Sequence, residues 1–252
     1  MTCQGGLTNP PSCPRIPVSS INSMDRSQFD VAFQQIKSQG FIKSKYNGDR
    51  AVGAMLELLL NIEENNSKDS DLSFGDVKAC DENSSSLQTL MTCDYRAWQM
   101  KTKDVLAKYG YVDDETGHLA LRTTFKHTPN NRGFYYDASD DDYLYVKNTD
   151  GTVILKWSWD LLLKRFQAKL HGIIKVYAES EIRGDGKYFH YKNYYILNCT
   201  DSKKLKEAYQ SDENLYIDIR CSYKYNKSGK LFLKNHGTAF RIPESKIGLI
   251  FA

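Results

Sequence analysis

The chain has no paired-cysteine motif. Cys3, Cys13, Cys80, Cys93, Cys199 and Cys221 form no CxxC pair and no zinc-ligand spacing with the five histidines. They are read as scattered reduced thiols, which argues against both a disulfide framework and a zinc site. No apolar run approaches the roughly 20 residues of a membrane-spanning helix. No basic flank precedes an apolar stretch at the N-terminus, so a secretion signal is not expected and a cytoplasmic location is. A large excess of one charge is missing too. The 34 Lys and Arg stand against 31 Asp and Glu, leaving a formal net charge of +3. A nucleic-acid binder with this balance has to gather its cations on one face and keep its carboxylates elsewhere or in a site. There is no internal repeat.

What is present is ordinary for a globular protein. The 252 residues, 40% hydrophobic and 26% charged, suffice for a real core in one large domain or two modest ones. The 17 tyrosines often neighbour Lys or Arg, as in Tyr188 to Lys192 and Tyr223 to Tyr225. Such interleaving suits a phosphate-contacting surface and an exposed β-hairpin equally.

Residues 1–22, rich in Pro, Gly, Ser, Thr and Asn, read as an extended arm, and residues 23–252 as one domain. Asp25 is a plausible N-cap for a helix carrying Phe29, Ala32, Phe33 and Ile36, stopped by Gly40. A second helix is predicted over 50–64, ended by Asn65-Asn66-Ser67. A strand or tight hairpin over 71–80, a strand over 87–92 and a helix over 94–108 follow. Alternation then predicts strands near 119–125, 133–137, 143–147 and 152–157, with Asp150-Gly151 as a two-residue hairpin turn. A helix over 159–170, a strand over 172–182, a turn at Gly184-Asp185-Gly186 and a helix over 201–210 come next. Strands at 215–223, 231–242 and 247–251 close the chain. The mixture argues for an α/β or α+β fold on a mixed β-sheet flanked by helices.

The most informative stretch is Asp71-Leu-Ser-Phe-Gly-Asp76-Val-Lys78. Residues two apart on a strand share a face, so Asp76 and Lys78 lie side by side while Val77 points into the core. Two spaced carboxylates and an ammonium are what phosphodiester hydrolysis requires. Carboxylates hold Mg²⁺, a hard ion that retains several waters, and the ion lowers the pKa of a bound water. Lysine orients that water and stabilises charge on the phosphorus. The same residues also describe a solvated hairpin with an ion pair worth at most about 1 kcal/mol. Glu57 sits in the apolar run Ala54 to Leu60, where a carboxylate either reaches solvent or points at something cationic.

Taken together, these segments resemble the MvaI/BcnI family of restriction endonucleases, relatives of the mismatch-repair nicking enzyme MutH. The resemblance rests on Gly53-Ala-Met-Leu-Glu57-Leu-Leu-Leu60, the strand from Asp71 to Lys78, and Ser86-Leu-Gln-Thr-Leu-Met-Thr92. It continues through Trp157-Ser-Trp-Asp160 and Tyr177-Ala-Glu-Ser180. It ends in Ile217-Asp-Ile-Arg220, a basic turn, and His236-Gly-Thr-Ala-Phe-Arg-Ile242. These matches run in order over about residues 25–250.

The resemblance implies a PD-(D/E)xK nuclease with two interleaved lobes around a DNA cleft. It makes Asp71 and Asp76 metal ligands, Lys78 the catalytic lysine and Glu57 an auxiliary acid. Relatives often carry Glu at the position of Asp76, and Asp69 is the alternative to Asp71 as first ligand. Arg220 and Arg241 fall on segments that the family uses to read guanines, where a guanidinium donates two parallel hydrogen bonds to O6 and N7. His236 is a further base or phosphate donor, and Lys224, Lys227, Lys230 and Lys234 are phosphate contacts. The expected activity is that of a type II restriction endonuclease: Mg²⁺-dependent, without a nucleotide cofactor, acting on double-stranded DNA. The implied target is a short G·C-rich, near-palindromic site of the CC-x-GG kind, cut by a monomer one strand at a time. A MutH-like nickase and a site-specific DNA binder that has lost catalysis are the alternatives.

Overall fold

A computed structural model describes residues 24–48, 50–62, 71–82, 87–94, 96–169, 172–198, 201–211 and 215–251. The expected N-terminal arm, Asp69 and the Asn65-Asn66-Ser67 run lie outside these residues. Asp25 caps α1 (Arg26–Ser38) in a capping box, accepting from the Gln28 backbone N–H while the Gln28 side chain accepts from its own. The buried residues of α1 are Phe29, Ala32, Phe33 and Ile36, the stripe read from the sequence. Then come β1 (Ile42–Lys43), α2 (Ala51–Leu59), β2 (Asp76–Asp81), β3 (Gln88–Thr92), α3 (Thr102–Tyr109), β4 (Tyr111–Val112) and β5 (Leu119–Phe125). They are followed by β6 (Phe134–Asp137), β7 (Tyr143–Asn148), β8 (Val153–Ser158), α4 (Trp159–Lys169), β9 (Ile173–Arg183) and β10 (Gly186–Leu197). The chain finishes with α5 (Lys203–Ser211), β11 (Tyr216–Tyr225), β12 (Leu231–Ile242) and a 3-10 helix, Glu244–Leu249.

Three differences from the sequence reading have physical causes. The second helix is shorter than predicted, because Asn61 takes φ 54°, a left-handed conformation that asparagine tolerates. The helix expected over 94–108 begins only at Thr102: Trp98 instead bridges to Leu155 and Gln99 donates to the Ile154 carbonyl. The closing strand expected at 247–251 is replaced by the 3-10 helix, after which Ile250 and Phe251 are buried in the core. Strand β10 is an addition to the elements predicted.

The strands form three sheets. The first has order β1-β10-β9-β2, the second β3-β12-β11-β5-β4 and the third β6-β7-β8. Among the described residues, only β2 and β9 pair in parallel. A parallel pair needs a long crossover, and here the crossover carries β3 to α4. Two hydrophobic cores result. One joins α1 and α2 to the first sheet through Phe29, Phe33, Leu56, Val77, Ile174, Val176 and Tyr191. The other binds the second and third sheets to α3, α4 and α5 around Trp157, Phe166, Tyr209 and Phe240. Truncating a fully buried ring such as Phe33 to Ala costs about 3–5 kcal/mol. The two lobes alternate along the chain, and a cleft of about 1370 Å³ is lined from both.

Candidate active site

The wall that carries the predicted catalytic residues is assembled by a tight loop and a close backbone crossing. Leu72 and Gly75 exchange backbone hydrogen bonds of 3.1 and 3.3 Å, folding the chain back directly before β2. A Cβ on Gly75 would stand 2.8 Å from the Gly172 carbonyl oxygen, so only glycine permits this approach. The crossing lets Asp76 N–H donate to Gly172 O at 3.0 Å and starts the parallel pairing of β2 with β9. Asp71 is drawn in by the same loop, its Oδ2 accepting from the Val77 N–H at 2.9 Å. As alternation predicts, Val77 enters the core and Asp76 and Lys78 share the opposite face. Glu57, on α2, lines the cleft together with Asp71 and Lys78.

Asp76 is the unusual member. It is 1% exposed, neither carboxylate oxygen receives a hydrogen bond, and its ion-pair partner is Lys78 Nζ at 3.1 Å. A buried carboxylate lacking hydrogen bonds carries a desolvation cost that a cation offsets. Among the described residues no three His, Cys, Asp or Glu side chains converge on a metal cage. The sequence-predicted ligands on this wall are two carboxylates, Asp71 and Asp76. That suits Mg²⁺, which keeps waters and takes a substrate phosphate oxygen as ligand.

Strand β9 adds a second lysine to this face. Lys175 is the register partner of Lys78 and is 1% exposed. Its ammonium contacts the Glu244 carboxylate, which also accepts from the Tyr177 hydroxyl at 2.6 Å. Glu244 belongs to the 3-10 helix of the other lobe, so this cluster ties the lobes together at the floor of the cleft. Burial pushes the Lys175 ammonium below the usual lysine range.

The opposite wall is built from β5, β11 and β12. Ile219 pairs with Thr238 and Cys221 with Asn235, so Arg220 alone faces both His236 and Gly237. This is a β-bulge, and Gly237 supplies the positive φ of 83° within it. Arg220 is exposed, pairs in register with Arg122 of β5, and shares the cleft lining with Arg122, His236 and Arg241. Burial first, then the charges of Lys234, Arg220, Lys224 and Arg122, lower the His236 pKa from the usual histidine value. Arg241 is held differently: Nη1 lies 2.6 Å from Asp218 Oδ2, and Nη2 donates to the Leu87 carbonyl at 2.9 Å.

The family model described as the MvaI/BcnI restriction endonuclease family matches residues 31–251. The chain belongs to that family. As an MvaI/BcnI-family protein it is a restriction endonuclease, a site-specific deoxyribonuclease. Among solved structures, the complex of restriction endonuclease MvaI with cognate DNA substrate gives a TM-score of 0.77 at 24% identity, covering 91% of this chain and 98% of that one. MvaI in the absence of DNA gives 0.50 at 24% identity, over 92% and 98%. These likenesses show the fold, a mixed α+β architecture consistent with PD-(D/E)xK nucleases. A search of curated proteins returns no match.

Within this MvaI/BcnI-family cleft, the structure brings together Glu57, Asp71, Lys78, Arg220, His236 and Arg241, with Asp76 buried behind Lys78. It leaves Lys224, Lys227, Lys230 and Lys234 outside the lining, on the projecting β11–β12 hairpin. Sequence reasoning missed Arg122, Asp218, Lys175 and Glu244. Two carried usable signals. Asp218 stands two before Arg220 on the same strand and so shares its face. Lys175 interrupts the apolar run Ile173 to Ala178, as Glu57 interrupts that of α2.

Proposed function

We propose that this protein is a Mg²⁺-dependent type II restriction endonuclease that cuts double-stranded DNA at a short G·C-rich, near-palindromic site of the CC-x-GG kind. The observation that carries the chemistry is the buried Asp76 carboxylate, lacking hydrogen bonds, beside Lys78, with Asp71 in the preceding loop accepting from the adjacent Val77 N–H. Asp71 and Asp76 would hold the ion. When bound, it supplies charge neutralisation at the scissile phosphate and a more acidic water. Lys78 Nζ donates to a non-bridging phosphate oxygen and orients the attacking water, and the Glu57 carboxylate accepts a hydrogen from the same water shell. Arg220 and Arg241 are the guanine readers, with His236 as an additional donor. Arg241 comes to the base with its fork already oriented by Asp218 and the Leu87 carbonyl, which lowers the ordering cost of reading. Lys224, Lys227, Lys230 and Lys234 extend the contact along the phosphate backbone.

A monomer acting on each strand in turn is the reading supported by a cleft whose catalytic and reading walls come from one chain. The workplace of such an enzyme is the cytoplasm, where the host DNA is. The test is a plasmid digest with Mg²⁺ and with EDTA, followed by sequencing of the ends. Discrete double-strand fragments with a common G·C-rich terminus, dependent on Mg²⁺, are expected. Nicking alone would favour a repair enzyme, and site-specific retention without cleavage would leave only a DNA binder.

A further inference from the structure

Asp94, between β3 and α3, contributes to neither wall of the cleft as described so far, yet its carboxylate is among the most fully engaged in the molecule. Its Oδ1 accepts from Trp98 Nε1 at 2.7 Å and from Thr238 Oγ1 at 3.1 Å. Its Oδ2 accepts from Asn235 Nδ2 at 2.6 Å. All three donors are neutral, so the carboxylate acts through geometry and not through an ion pair. Asn235 and Thr238 flank the two bulged residues of β12, His236 and Gly237.

The arrangement runs outward in a chain. With its amide nitrogen fixed on Asp94, Asn235 turns its Oδ1 to the Gly237 N–H, which donates to it at 2.9 Å. Behind the bulge, Cys93 N–H donates to the Thr238 carbonyl at 2.9 Å. Trp98, the other ligand of Asp94, is anchored to the third sheet through its bridge to Leu155. Asp94 thus couples three pieces of backbone at the point where β12 carries its extra residue. A bulge is a register fault, and sliding it by one residue exchanges the faces of the side chains it passes.

We propose that Asp94 is a positioning residue for DNA recognition: through Asn235 it fixes the His236–Gly237 bulge and so determines which base pairs the enzyme accepts. This rests on the reading of Arg220 and His236 as DNA contacts. Asp94 itself touches no DNA in this account; it holds the residues that do. The carboxylate is required because one group has to accept from Trp98, Thr238 and Asn235 together, and an amide in its place offers a single acceptor oxygen.

The test uses the full chain as wild type, Asp94→Asn, Asn235→Ala and the double variant, each checked for folding by circular dichroism. Cleavage is measured with Mg²⁺ on a duplex carrying the cognate site and on duplexes altered at one base pair. Each single variant is expected to lose about tenfold in cognate-over-altered kcat/KM, within the range of one base contact. The double variant is expected to lose no more than either single, since both act through one chain of contacts. Additive losses, or an equal fall in kcat on every duplex, would overturn the proposal. A second readout is independent of cleavage. Amide exchange of Gly237 in the DNA-free protein is expected to quicken at least severalfold in Asp94→Asn as well as in Asn235→Ala; unchanged Gly237 exchange in Asp94→Asn overturns the positioning role. If the wild type shows no site preference, it is the DNA-reading assignment that fails, and the Gly237 measurement still decides whether Asp94 holds the bulge.

Discussion

The two walls of the cleft treat their charges in opposite ways. On the wall proposed for catalysis, Asp76 is buried and receives no hydrogen bond. On the wall proposed to read DNA, Arg241 is held by Asp218 and Leu87, Arg122 by Asp113 at 3.1 Å, and the bulge by Asp94 through Asn235. One wall leaves a buried carboxylate with a lysine beside it and no hydrogen bond, and the other spends hydrogen bonds to hold donors in register. Catalysis needs a site whose electrostatics are completed at the moment of use. Recognition needs donors that lose little freedom when the base arrives.

The largest test of this contrast is at the catalytic wall. Lys78→Ala is expected to lower cleavage by more than about 10³-fold, the scale of removing a charge-stabilising group, while site-specific binding in EDTA persists; unimpaired cutting would break the assignment. Asp76→Ala should likewise abolish cleavage. In EDTA, however, it should stabilise the protein by about 1 kcal/mol, because a buried carboxylate without hydrogen bonds is removed. Thermal unfolding with and without Mg²⁺ measures this: Mg²⁺ should raise the wild-type Tm and leave that of Asp76→Ala unmoved. If the variant melts lower in EDTA, the demand at Asp76 was already met by Lys78.

The next effect belongs to the reading wall. Arg241→Ala is expected to cost about 1–3 kcal/mol of discrimination at one G·C pair, read as relaxed preference on single-substitution duplexes. Its binding to all sequences should weaken unequally. Uniform weakening with only an altered salt slope would make Arg241 a phosphate contact. The smallest effect lies on the hairpin: Lys227→Ala should weaken binding evenly across sequences and reduce the salt slope by about 1. A change in preference there would extend the reading wall beyond the cleft.

Much of the placement of Glu57, Asp71, Asp76 and Lys78 was legible because these residues are close in sequence. Glu57, Asp71, Asp76 and Lys78 need only a helix, a loop and strand alternation to meet. The Lys175–Glu244 cluster joins residues 69 apart in different lobes, and no local periodicity announces such a pairing. Strand β10 was hidden for another reason. Its burial alternates unevenly, and a register shift between Tyr191 and Asn193 breaks the two-residue period that a sequence scan follows. The helix predicted through Trp98 failed because the indole is claimed by Asp94 and its backbone by Leu155, both tertiary contacts. The family motifs did more than periodicity here, since they carried Arg220, His236 and Arg241 to one surface that hairpin patterning alone leaves undirected.

The alternation of the lobes along the chain limits how such an enzyme can acquire a new target. The described residues within 24–82 and 172–198 build the lobe around the first sheet, while those within 87–169 and 201–251 build the lobe around the other two sheets. No single contiguous cassette contains the reading surface, so one crossover between two genes would join halves of mismatched cores. Two transplanted segments would have to arrive together, with the Lys175–Glu244 contact intact between old and new parts. With β11 and β12 as the proposed reading strands, new specificity in this architecture would be reached by substitution along them, one side chain at a time, and not by the shuffling of modules.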